Sequence, residues 1–281
     1  MIQSQWQNYD QGTDQDGWPF VSVIVPVRNE AKQIREVLTQ LLEQRYPANA
    51  FEVIVADGES TDETVEIIHE MQEAHSNLQL VANPGIWSSA GRNAAIEVAV
   101  GDIILLVDGH CDLNNPEYLL DVVDAFVRSG ADCIGRPQPL NITEATPVQE
   151  AIALARSSLL GHHPSSWIYS ENEAYVRPQS VAVAYRREVF ARIGTFDESF
   201  DACEDVELNH RVDKAGFTCF FTPRASVTYH PRSSLRGLFR QMCRYGRGRT
   251  RLLRKHPDTF SLPGFIPALF VLGLLMGPVL A

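Results

Sequence analysis

A single α/β domain around a mostly parallel sheet, flanked by helices, is predicted from three features. Short runs of continuously apolar, β-branched residues recur at Val21–Pro26 (VSVIVP), Phe51–Ala56 (FEVIVA), Leu78–Ala82 and Asp102–Val107 (DIILLV). Uninterrupted apolarity marks strands covered on both faces. Segments of helical period separate these runs with short connections, as successive parallel strands require. Polar residues crowd the carboxyl ends of the runs, where an open parallel sheet holds its ligands.

In chain order, the first strand is followed by a helix over Glu30–Arg45, with Ile34, Val37, Leu38, Leu41 and Leu42 on one face. After the second strand comes a helix over Thr61–His75, with Ser60 or Thr61 placed to cap it. Ser88–Val100 is the helix between the third and fourth strands. The second half is less regular. Pro116–Ser129 is helical, Asp132–Gly135 is a short strand, and residues 137–147 form a Pro-rich connection to a helix over Val148–Leu160. Gly161–Arg177 has no period and reads as a long loop, a kind that is often functional. Ser180–Tyr185 is a strand, Glu204–Ala215 a helix, and Phe217–Phe221 with Ala225–Tyr229 a final strand pair.

The 281 residues, 44% hydrophobic and 21% charged, exclude disordered and low-complexity classes. Five scattered cysteines include no C-x-x-C pair, so neither a disulfide framework nor a zinc ribbon is expected. Residues 1–19 read as a loose polar arm without the apolar stretch of a signal peptide. Net charge is −11, but residues 231–256 hold eight Arg, one Lys and no acid, leaving −20 on the rest. That global acidity argues against a nucleic-acid partner.

Three strand ends carry candidate chemistry: Pro26-Val27-Arg28-Asn29-Glu30, the stretch from Asp57 to Thr64, and Asp108-Gly109-His110. Asp57 is a ligand-facing acid or a helix cap. Asp108 and His110, one residue apart, can both reach one divalent cation. Otherwise D-G-H is a turn with an exposed His. The Glu204-Asp205-Val206-Glu207 stretch opens a helix, where acids serve as dipole partners or as a general base.

The motifs V-S-V-I-V-P-V-R-N-E, D-G-E-S-T-D-E-T, G-R-N, D-G-H and E-D-V-E-L-N-H-R, in this order over residues 20–256, resemble glycosyltransferase family 2. Within it the chain is similar to the succinoglycan-type membrane-associated glucosyltransferases. The resemblance implies a GT-A fold with a Rossmann-like sheet and a catalytic domain over residues 20–230. It also implies an inverting transfer from a nucleoside-diphosphate sugar to a saccharide or lipid-linked acceptor in polysaccharide biosynthesis. By that resemblance Pro26, Arg28, Glu30, Asp57, Arg92, Asn93 and Asp108 contact the nucleotide sugar, with Asp57 accepting from a uracil. Asp108, His110 and His230 hold Mn2+ or Mg2+, and Asp205 is the base. Glu204 and Trp167 lie on the acceptor side. A sugar nucleotidyltransferase would carry a Gly-rich loop after the first strand, which P-V-R-N-E lacks. A non-catalytic carbohydrate-binding protein would dispense with Asp108 and Asp205.

Residues 231–257 form an amphipathic helix with Arg232, Arg236, Arg240 and Arg244 on one side, expected along a membrane surface and bent at Gly246 and Gly248. Residues 262–281 are apolar, uncharged and about long enough to span a bilayer of about 30 Å. The expectation is a membrane segment, cut inside or just after its helix, that places the protein on the cytoplasmic face of the cell membrane.

Overall fold

The computed structural model describes residues 17–158, 161–162 and 166–262. The first half alternates strand and helix: β1 Val21–Val27, α1 Ile34–Leu42, β2 Phe51–Asp57, α2 Thr64–Gln72, β3 Leu78–Ala82, α3 Ser88–Val98 and β4 Ile103–Leu106. Then come β5 Cys111–Asp112, α4 Tyr118–Ser129, β6 Cys133–Gly135, α5 Pro147–Ser157, β7 Ala174–Val176, β8 Ala182–Arg186 and α6 Arg187–Ile193. The chain continues through α7 Glu204–Lys214, β9 Cys219–Phe221, β10 Thr228–Tyr229 and α8 Leu235–Lys255.

Eight strands form one sheet in the order β3-β2-β1-β4-β8-β6-β9-β7. The β3-β2-β1-β4 half is parallel, and β8 runs antiparallel between β4 and β6. Alternate residues of the continuous apolar runs serve opposite faces. Val21, Val23 and Val25 pack with Ile34, Leu38 and Phe126 on one side. Ile24, Ile54 and Ile104 pack with Ala95, Leu208 and Val212 on the other. Each such buried side chain contributes about 1.5–3 kcal/mol of transfer free energy. Register aligns the chemistry, because Val27 pairs with Asp57 and places the ends of β1 and β2 side by side.

Several expectations change. Phe217–Phe221 and Ala225–Tyr229 are not partners. β9 joins the main sheet beside β6, whereas β10 pairs antiparallel with β5 in a separate ribbon. The long loop contains the edge strand β7, which pairs with β9. Helix α2 starts at Thr64 because Ser60 and Thr61 bind the loop after β1 rather than the helix. Trp18 and Pro19 pack on the domain, Trp18 edge-on to Tyr46 and the Pro19 carbonyl accepting the Tyr46 hydroxyl at 2.6 Å. Residues 263–281 of the expected membrane segment lie outside the described residues. Among those described, no helix is long and apolar enough to cross a membrane. All five cysteines are free thiols.

Helix α8 runs unbroken through Gly246 and Gly248. The two glycines differ. A Cβ on Gly248 would lie 2.6 Å from the Ala202 carbonyl oxygen and 2.9 Å from Cys203 Sγ, whereas one on Gly246 meets nothing within 4 Å. Gly248 is therefore the close approach of α8 to the residues that open α7. Gly248→Ala should destabilise by about 1–3 kcal/mol through overpacking against backbone. Gly246→Ala should stabilise by about 0.5–1 kcal/mol through helix propensity. Chemical denaturation of the two variants checks this, and equal midpoints would contradict the close approach.

Candidate active site

The ends of β1 and β2 are locked together. The Asn29 N–H donates to Ser60 Oγ and the Thr61 N–H to Asn29 Oδ1, both at 2.8 Å. The Glu30 N–H donates to Thr64 Oγ1 at 2.8 Å. Asn29 and Glu59 both adopt left-handed backbone, φ 57°, a strain that this interlock sustains. Pro26 is half-buried at the end of β1, and Arg28 is exposed beyond it. Asp57 Oδ2 accepts the Ser60 N–H at 3.0 Å. Its other oxygen, Oδ1, is buried and has no hydrogen-bond partner. A buried acceptor without a donor is costly and marks a place for an incoming N–H or O–H.

The centre of the site is Arg92 on α3, only 8% exposed. Its Nη1 donates to Glu204 Oε1 at 2.9 Å and its Nη2 to Asp108 Oδ1 at 3.1 Å. The guanidinium also lies 5.3 Å from the centroid of the Phe196 ring. Ser88 Oγ donates to the same Glu204 oxygen at 2.6 Å. Asp108 Oδ2 accepts the Tyr229 hydroxyl at 2.9 Å. Burial alone would raise the Asp108 carboxyl, but Arg92, His110 and Tyr229 outweigh it and hold it below the usual carboxylate range. His110 Nδ1 lies 3.3 Å from Glu30 Oε1, and this hydrogen bond raises the imidazole above its ordinary value.

Helix α7 opens after Cys203, itself left-handed at φ 63°. Glu204 and Asp205 are about 100° apart on the helix, so they part ways. Glu204, 7% exposed, turns inward to Arg92. Asp205 faces outward, reachable by solvent but hemmed by protein. Desolvation, with the Glu204 carboxylate beside it, pushes the Asp205 carboxyl above its ordinary value.

Asn93 spends its amide on the Phe196 backbone and on Glu198, fixing the loop after α6. The Trp167 ring packs on Phe221 at 5.6 Å between centroids. Arg232, Arg236, Arg240 and Arg244 are all exposed, beside exposed Leu235, Phe239, Met242 and Tyr245. The residues not anticipated are Tyr229, Asp112 and Arg136. Arg136 is 1% exposed, with its guanidinium 6.0 Å from the Tyr118 ring centroid. The Tyr229-His230-Pro231 stretch was the signal for the first.

The donor chemistry at Asp108, His110 and His230 fits a divalent cation. The β5–β10 ladder pairs Tyr229 with Cys111, so its next step sets His230 at the register position of His110. Each imidazole is held by a carboxylate, His110 by Glu30 and His230 by Asp112 at 3.1 Å, the support that orients metal-binding histidines. The three do not, however, bring one ligand atom each within 4.8 Å of one another. Asp108 is engaged by Arg92 and Tyr229 instead.

Arg92→Met should cost about 3–5 kcal/mol at pH 7, because it strands the buried Glu204 and the half-buried Asp108. Since Arg92 keeps Asp108 low, its stabilising effect is present above the unfolded carboxylate pKa of about 4 and fades as pH falls. Urea denaturation of parent and variant should therefore show the gap narrowing on acidification. A gap that widens would contradict the pairing.

A family model described as glycosyltransferase-like family 2 matches residues 19–248. The succinoglycan biosynthesis protein ExoA of Rhizobium meliloti is 31% identical over 92% of this chain and 77% of its own length. Glycosyltransferase AglE of Haloferax volcanii is 30% identical over 82% of this chain and 73% of its own. The fold is similar to the mannosyltransferase PcManGT from Pyrobaculum calidifontis, solved in complex with GDP-Man and Mn2+ (TM-score 0.65, 22% identity, 95% of this chain and 73% of that one). It is also similar to S. aureus TarS 1-349 in complex with UDP (TM-score 0.56, 22% identity, 75% and 60%). With the family model spanning residues 19–248 and a mostly parallel sheet of the GT-A kind, the chain belongs to glycosyltransferase family 2.

Proposed function

We propose that this enzyme is an inverting, metal-dependent transferase that moves a sugar from a UDP-sugar to a saccharide or lipid-linked acceptor in polysaccharide biosynthesis. The observation that carries the nucleotide assignment is Asp57, whose buried Oδ1 lacks a donor at the carboxyl end of β2. A uracil imide N–H supplies that donor, and cytosine has no such group. Support for a nucleotide-sugar donor also comes from the UDP and GDP-Man complexes on this fold.

In this reading Asp205 takes the proton from the acceptor hydroxyl. The freed oxygen attacks the anomeric carbon on the face opposite the departing nucleoside diphosphate, so an α-linked donor gives a β-glycoside. The raised carboxyl makes Asp205 a stronger base than an ordinary carboxylate. Asp108, His110 and His230 would hold Mn2+ or Mg2+, which when bound neutralises charge on the leaving diphosphate. Arg92 pairs with Asp108 and Glu204 beneath the reacting groups. Pro26, Arg28 and Glu30 flank the nucleotide.

Titration calorimetry with UDP, GDP and CDP plus Mn2+, combined with a transfer assay, tests this. UDP should bind tightest, and Asp57→Ala should weaken it about 10- to 100-fold, the size of a hydrogen bond to a charged group. Asp205→Asn should keep UDP affinity and lose transfer. Tighter binding of GDP, or loss of UDP binding in Asp205→Asn, would overturn the assignments.

We further propose that the exposed start of α8 lies on the cytoplasmic face of a membrane. Four arginines and a neighbouring apolar stripe suit an anionic headgroup layer, each cation contributing about 1 kcal/mol at the surface. Replacing Arg232, Arg236, Arg240 and Arg244 together by Gln should erase the preference of the full chain for anionic over neutral vesicles in co-sedimentation. In the parent that preference should fall with salt. An undiminished preference in the variant would refute the surface role.

A further inference from the structure

The far end of α7 carries a second cluster that the reaction does not use. His210 stands six residues beyond Glu204, about 9 Å along the helix axis. His256 follows the end of α8, and Asp258 sits in the 3-10 turn Pro257–Thr259. Among the described residues, these are the His, Cys, Asp or Glu side chains that gather in a group of three, one ligand atom each within 4.8 Å of the others. The two imidazole centroids are 4.6 Å apart, and His210 Nε2 lies 3.4 Å from Asp258 Oδ1.

We propose that His210, His256 and Asp258 form a binding site for a zinc-class transition metal that fastens the end of α8 to α7. Two imidazoles and one carboxylate are the donors that Zn2+ favours over Mg2+, and water can complete a tetrahedron. The outer layer has the arrangement such ligands use. His256 Nε2 is 3.0 Å from Oε1 of Glu207, a fully buried carboxylate, which leaves Nδ1 for a metal. His210 Nδ1 is 2.8 Å from the Gln179 side-chain amide, which leaves Nε2 directed at Asp258. Turning the amide over to present its oxygen to a ring N–H gives up the 3.3 Å hydrogen bond from its nitrogen to Asp213 Oδ2, a carboxylate that Arg177 also holds.

His210 is 3% exposed. Lys214 holds the other Asp258 oxygen at 2.5 Å. That ion pair is exposed, so it is readily given up, and Oδ1 does not depend on it. The site is independent of the donor assignment. It joins the helix whose first turn carries Glu204 and Asp205 to the segment that leads into residues 263–281.

Calorimetry of the full chain with Zn2+ alone, without nucleotide, is the test. The parent should bind one equivalent at this site. His256→Gln and Asp258→Asn should each weaken it at least tenfold, and His210→Gln likewise. Because His210 is buried, the two more accessible variants carry the conclusion if that one fails to fold. Zn2+ should also raise the parent's melting temperature and not theirs. An Asp108→Asn/His110→Gln double variant should retain the equivalent. Zinc affinity unchanged in His256→Gln and Asp258→Asn, or lost only in the double variant, would overturn the proposal.

Discussion

One buried guanidinium organises this enzyme's centre. Arg92 reaches Glu204 across 112 positions of sequence and Asp108 across 16. An isolated charge in that setting would be strongly unfavourable, and two carboxylates with good geometry make it tolerable. The same contacts keep Asp108 ionised and dock the head of α7 onto the end of β4. Asp205, next along α7, inherits its position from that docking. The geometry of the candidate base thus depends on an ion pair that takes no part in proton transfer.

The first four strands were readable because parallel strands covered on both faces leave an uninterrupted apolar signature, as in Val21–Val25 and Ile103–Leu106. Their polar ends were readable as a site because parallel register carries Val27 and Asp57 to the same level. The second half obscured itself for physical reasons. β5 and β10 are two residues each, too short for any period, and their pairing depends on contacts more than a hundred residues apart. Tyr229 was hidden for that reason. Glu204 and Asp205 are chemically alike and adjacent, so only the helix phase separates the buried partner of Arg92 from the outward carboxylate. A family motif records identity and not direction, so it could not show that the Asn93 amide serves the Phe196 loop.

Helix α8 divides into two regimes. Its second half is fastened to the domain by Gly248 against Ala202, by Arg251 to Asp201 at 3.0 Å, and by Lys255 to Asp197 and Glu207. Its first half presents arginines and apolar side chains outward. A basic segment read as a single amphipathic surface from its sequence is therefore part brace and part open face. The boundary falls where the Gly246-Arg247-Gly248-Arg249 stretch meets the residues that open α7.

The ribbon of β5 and β10 has a consequence for the order in which the molecule matures. The parallel half of the sheet is complete in the chain by Leu106, yet Arg92 lacks Glu204 until α7 has been made. Asp108 lacks the Tyr229 hydroxyl until 121 residues after itself. A nascent chain emerging amino-terminus first therefore exposes a nearly finished sheet whose central charge is half compensated, with β4 an open edge until β8 arrives. Such an intermediate is held back from premature settling, and its unpaired edge is a hazard for association with other chains. Synthesis must run almost to the start of α8 before the parallel sheet and the site it supports reach their resting state.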